Sequence, residues 1–68
     1  MKISDIRELT DAEIDARIKE EQDALLRMRF NHSISEIESP AKIQLTKKTI
    51  ARLKTVFRER EMAKQQDN

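Results

Sequence analysis

Residues 38–43 read Glu-Ser-Pro-Ala-Lys-Ile, and in a chain with no glycine and a single proline they decide the fold. Proline is tolerated in the first turn of a helix, where its missing N–H has no partner to lose, but it breaks or kinks a helix further in. The serine before it is a favoured N-cap, because its side-chain oxygen accepts from an unpaired N–H of the first turn. Ser39-Pro40 therefore starts a new helix, and any helix before it must already have ended. Helices joined by a short connection run antiparallel. The stretch turns what composition would allow as one long helix into a hairpin.

Upstream, residues 9–14 (Leu-Thr-Asp-Ala-Glu-Ile) carry a second start signal. Thr10 is the N-cap, Glu13 completes a capping box, and Leu9 and Ile14 are placed as a hydrophobic staple. The expected helices span roughly 10–35 and 40–64, with a connection of about four to six residues. At about 100° per residue, Ile14, Ile18, Leu25 and Met28 share one stripe of the first helix, and Ile43, Thr46, Ile50, Leu53 and Phe57 one stripe of the second. Antiparallel pairing then sets Met28 near Ile43 or Thr46, and Ile18 near Leu53 or Phe57. Ile3, Ile6 and Leu9, spaced by three, allow a helical turn or two over residues 2–9 that folds back on the hairpin. The tail 65–68 has no apolar anchor and is expected to fray. The fold class is thus all-α: one domain over residues 1–68, an antiparallel two-helix hairpin with a coiled-coil-like seam and a short N-terminal helical turn.

A chain of 68 residues draws only about 3–5 kcal/mol of net stability from a single core. The usual reinforcements are missing, since there is no cysteine for a disulfide and one histidine cannot make a structural zinc site. A partner surface is what remains. No ten apolar residues run together, and the opening MKISDIRELT has acids where a secretory leader needs an apolar segment. The expected location is the cytoplasm, away from any membrane.

Catalysis needs convergent groups in a pocket, and a helical hairpin has almost no concave interior. The chain has no phosphate loop, no glycine-rich turn and no cysteine nucleophile. Glu20, Glu21 and Asp23 lie on different sides of their helix and read as a solvated face. No catalytic residue, metal site, cofactor or small-molecule substrate is assigned, and the protein is read as no enzyme. His32, near the end of the first helix, reads as a packed or capping residue. Leu26, Phe30 and Ile34 form a second apolar strip about opposite the seam. That strip either covers the N-terminal turns or the loop, or it is an exposed protein contact.

Charge separates the two halves. Residues 1–39 hold six basic and ten acidic side chains, whereas residues 40–68 hold eight basic and three acidic, a balance of −4 against +5. Lys42, Lys47, Lys48, Arg52, Lys54 and Arg58 follow one another with no acid among them. Such a run is the footprint of a helix that meets phosphates and releases counterions. The alternative is a coiled-coil protein–protein interaction module without RNA binding, or a basic helix that pairs within the molecule with Glu13, Glu20 and Asp23.

The second helix, PAKIQLTKKTIARLKTVFRERE, resembles the signature region of the bacterial large-subunit ribosomal protein twenty-nine family. The family pattern is a basic pair, a two-residue step and Ala-Arg-(Ile/Leu)-Lys-Thr, matched by Lys47, Lys48, Ala51, Arg52, Leu53, Lys54 and Thr55. Upstream, LLRMRFN is similar to the family's Leu-Phe-Asn-Leu-Arg-Phe-Gln, with Leu25, Met28, Arg29 and Phe30 in matching places. Departures are Ser35 where glycine is common, Gln44 where arginine is frequent, and Thr46 in place of an aliphatic residue. The resemblance implies a structural, non-enzymatic ribosomal protein of the large subunit. It would bind ribosomal RNA near the polypeptide exit tunnel, beside a neighbouring exit-site ribosomal protein. It also implies RNA contacts for Lys47, Lys48, Arg52, Lys54, Thr55 and Arg29.

Overall fold

Thr10 and Glu13 exchange the two hydrogen bonds of the capping box. The Glu13 N–H donates to Thr10 Oγ1 at 3.1 Å, and the Thr10 N–H donates to Glu13 Oε1 at 3.0 Å. The helix they start, α2, spans Asp11–Ser35, and the helix begun at the proline, α3, spans Pro40–Gln66. A short helix, α1, occupies Ile3–Arg7 ahead of both. The computed structural model describes residues 1–35 and 39–66. The described residues are all-α, an antiparallel hairpin of α2 and α3 with α1 folded back on it, about 51 × 17 × 15 Å overall. Residues 36–38 of the expected connection and 67–68 of the expected tail lie outside the described residues, while α3 runs two residues beyond its expected end at 64.

Where the hairpin pairs, its register follows from the seam. Thr46 Oγ1 lies 3.7 Å from Met28 Sδ and donates to the Lys42 carbonyl at 3.0 Å, so the one polar residue in the stripe is buried with its hydroxyl satisfied. Ile18 packs against the cluster that contains Leu53. Both neighbour relations are those expected from antiparallel stripes.

The fully enclosed core is Ile6, Ile14, Leu53 and Val56, with Leu9, Ile18 and Phe57 packed against it. Here the structure departs from the two-stripe reading. Val56, one residue off the seam, is 1% exposed, while Phe57 is only half-buried. Two helices alone would leave the flank of α3 wet. The third element, α1, brings Ile6 against that flank and closes it.

Polar contacts fix α1 in the same place. Arg60 Nη1 donates to the Leu9 carbonyl at 2.7 Å and to Asp11 Oδ1 at 2.9 Å, and Nη2 donates to the Arg7 carbonyl at 2.9 Å. The last carbonyls of a helix have no partner within it, and here a guanidinium fork from α3 takes up the last one of α1, at Arg7, together with that of Leu9 just beyond. Lys64 Nζ meets the other Asp11 oxygen at 2.8 Å, and Arg7 lies 3.7 Å from Glu59.

Candidate nucleic-acid interface

Cations of α3 divide into those that serve the fold and those that do not. Arg60 and Lys64 converge on Asp11, at the first turn of α2. Lys64 first and Arg60 second hold the Asp11 carboxyl below its usual 3.8. The Thr10 N–H holds the Glu13 carboxyl below its usual 4.5, so Glu13 is engaged at its own cap. Glu20 and Asp23 make no ion pair with α3 among the described residues. In α2, Arg17 pairs with Glu21 at 3.1 Å and Lys19 with Asp15 at 3.1 Å, one turn apart in each case.

Lys42, Lys47, Lys48, Lys54 and Arg58 are all exposed, and among the described residues none of them makes an ion pair. Arg52 is exposed too; its Nη1 donates to the Met1 carbonyl at 3.1 Å, which leaves its charge uncompensated. The helical repeat of about 100° per residue gathers Lys47, Lys54 and Arg58 on one flank of α3 and sets Lys48 and Arg52 on another about 120° away. Arg52 shares its flank with Val56 and Glu59, the residues against which α1 lies. Lys42 falls on neither flank but on the seam row with Thr46 and Leu53, close to the turn. Arg29 is exposed on α2 beside Met28, which faces Thr46, and so stands near the Lys47 end of α3. Thr55 is exposed between the two flanks, and its hydroxyl donates to the Ala51 carbonyl at 2.7 Å. A phosphate oxygen only accepts, so that hydroxyl reaches one only by leaving Ala51.

Lys2 was not among the candidates that the sequence suggested. It lies in the acidic half of the chain, yet the Arg52 bond to the Met1 carbonyl brings the backbone next to it against the basic helix. The spacing of Ile3, Ile6 and Leu9 carried that signal, since it predicts the fold-back without naming which cation comes along. His32 is half-buried near the end of α2.

On the outer side of α2, Leu26, Phe30 and Ile34 are 70%, 64% and 67% exposed. They do not cover α1, which lies at the far end of the hairpin against Ile14, Leu53 and Val56. Among the described residues no group of three or more His, Cys, Asp or Glu side chains is placed to hold a metal ion, and no helix is long and apolar enough to cross a membrane.

A family model described as ribosomal L29 protein matches residues 4–60. The chain is 47% identical over 62 residues to the large ribosomal subunit protein uL29 of Bacillus cytotoxicus, an overlap of 91% of this chain and 94% of that relative. The proteins of the same description from Bacillus cereus (strain B4264) and Bacillus anthracis (strain A0248) give the same identity and coverage.

Proposed function

The chain belongs to the ribosomal L29 protein family and is a structural constituent of the large ribosomal subunit, and on that premise we propose that it holds its place there by binding ribosomal RNA through the exposed cations of α3. The observation that carries this reading is the division of labour along one helix. Arg60 and Lys64 are committed to Asp11, while Lys47, Lys48, Arg52, Lys54 and Arg58 have no acid of this chain against them among the described residues. Like charges one turn apart weaken a helix, and Lys48/Arg52 and Lys54/Arg58 are two such pairs. A polyanion offsets that cost, and displacement of its counterions favours the complex. The alternative of a basic helix neutralised by α2 loses its support where Glu13 is held at its cap. The family is a non-enzymatic class, and the work of this chain is architectural.

A second contact is with protein. Leu26, Phe30 and Ile34 form an apolar strip of one residue per turn on the side of α2 away from α3, and we assign it to a neighbouring ribosomal protein at the exit site. The location follows the same reading: the cytoplasmic ribosome, near the polypeptide exit tunnel.

The test is the salt dependence of binding to purified large-subunit ribosomal RNA. Lys48→Gln/Arg52→Gln is expected to reduce the log–log salt slope by roughly 1.4–1.8, at about 0.7–0.9 per phosphate contact. Arg17→Gln/Lys19→Gln, whose charges are matched within α2, leaves the slope nearly unchanged. Equal slopes for the two double variants would overturn the reading and favour the interaction module.

A further inference from the structure

The two flanks of α3 face in directions about 120° apart. A helix with its side chains is about 10–12 Å across, so cations on flanks about 120° apart are separated by most of that width. That distance is about one Debye length at 0.1 M salt, so an anion neutralising one row only partly offsets the charge of the other. Lys47, Lys54 and Arg58 rise about 16 Å along one flank, at 1.5 Å per residue. Lys48 and Arg52 stand on the other, where Lys2, the residue ahead of α1, follows the Met1 carbonyl that Arg52 holds. Between the rows lie the uncharged Ala51 and Thr55. Each row contains its own like-charged pair one turn apart, Lys54/Arg58 in one and Lys48/Arg52 in the other, and no acid of this chain pairs with either among the described residues. Each therefore calls for an anion of its own.

We propose that α3 lies between two separate stretches of RNA phosphate backbone, one held by Lys47, Lys54 and Arg58 and the other by Lys48, Arg52 and Lys2. The proposal rests on the RNA-binding reading above and divides its surface in two. On this arrangement the protein is a brace that fixes the distance between two backbones. The small apolar core is then stiffened from both sides by its partner. The role of α1 is also wider than closing the core, because its return to α3 completes the second row.

Hydroxyl-radical footprinting of purified large-subunit ribosomal RNA with the full chain tests this. The wild-type protein is expected to protect two tracts that are not contiguous in the RNA strand. Lys54→Gln/Arg58→Gln should lose protection of one tract and keep the other, and Lys48→Gln/Arg52→Gln should do the reverse. Arg52→Gln also gives up the bond to Met1, so Lys48→Gln alone serves as a second variant, expected to weaken the same tract as its double. Circular dichroism confirms that helicity is retained. If both double variants lose the same tract, the two-backbone arrangement is overturned while RNA binding stands. If the wild-type protein protects nothing, RNA binding itself fails, and this inference with it.

Discussion

At the end of the hairpin where α1 packs, Ile6, Ile14, Leu53 and Val56 are shut away from water, whereas toward the turn Leu26, Phe30, Ile34 and Leu45 remain between 64% and 70% exposed. The two ends use the same helices and much the same side chains. What differs is a third element. The five residues of α1 close the open flank of α3, and the contacts of Arg60, Lys64 and Arg7 with Leu9, Asp11 and Glu59 are gathered there. At the turn end two helices meet along a single seam, and each keeps apolar side chains outside it. Stability is concentrated at one end, and apolar side chains are left exposed at the other. A core of this size has little to spare, and a molecule that is completed by its neighbours does not need to close both ends itself.

The largest expected effect separates the ends directly. Leu53→Ala empties a site at 0% exposure, at a cost of about 2–5 kcal/mol. That equals most of the roughly 3–5 kcal/mol such a chain commands, so the isolated variant should be largely unfolded. Leu26→Ala, the same change at 70% exposure, should fall within about 0.5 kcal/mol of wild type. Urea melts followed by circular dichroism measure both. Equal losses would mean that the turn end is as tightly built as the other.

A smaller effect comes from the clamp. Arg60→Met keeps much of the packed stem and removes the donors to the Leu9 and Arg7 carbonyls, which should cost about 1–2 kcal/mol. The loss should be local. Amide exchange at Ile6, which donates to the Lys2 carbonyl, should speed up more than exchange at Thr46 on the seam near the turn. A uniform change along both helices would show that α1 is held by apolar packing alone.

The hairpin itself was legible because its determinants are local. Proline, two N-caps and a spacing of apolar residues act within a few positions, and the Thr10–Glu13 box and the Met28–Thr46 pairing followed from them. The full burial of Val56 was not legible, because it depends on α1 returning across some fifty positions, and no pattern inside α3 distinguishes Val56 from a flank residue. Arg60 hid for a related reason. In a run of cations its neighbours look alike, and only tertiary structure tells which one meets an acid and two carbonyls of its own chain. The residues expected to bind RNA could be named from charge and resemblance, and their division into two flanks follows from the helical repeat; what needed the fold was the return of the Met1–Lys2 segment to one of those flanks. Of the readings open to the Leu26, Phe30 and Ile34 strip, the position of α1 removes cover of the N-terminal turns, while residues 36–38 of the connection lie outside the described residues.

The smallest effect is a pH dependence, and its sign follows from the carboxylates at the closed end. Asp11 is held below its usual 3.8 by Lys64 and Arg60, and Glu13 below its usual 4.5 by the Thr10 N–H. In the unfolded chain both lose these partners and titrate near their ordinary values. From neutral pH down to about pH 5 both are ionised in either state, and their contribution to stability is fully present. Below that the unfolded chain takes up protons first, so stability falls, and it goes on falling until the folded carboxylates are protonated as well. Asp11→Asn removes one of the two titrations. Its stability should lie below wild type at pH 7 and meet it at the acid end, giving a shallower decline below about pH 4. Both side chains are near the surface, so added salt should shrink the difference between the two proteins. Urea melts from pH 7 to 2.5 would show this. If the variant declines as steeply as wild type, Asp11 is not what ties α2 to α3, and the closed end is held by Ile6, Ile14, Leu53 and Val56 without electrostatic help.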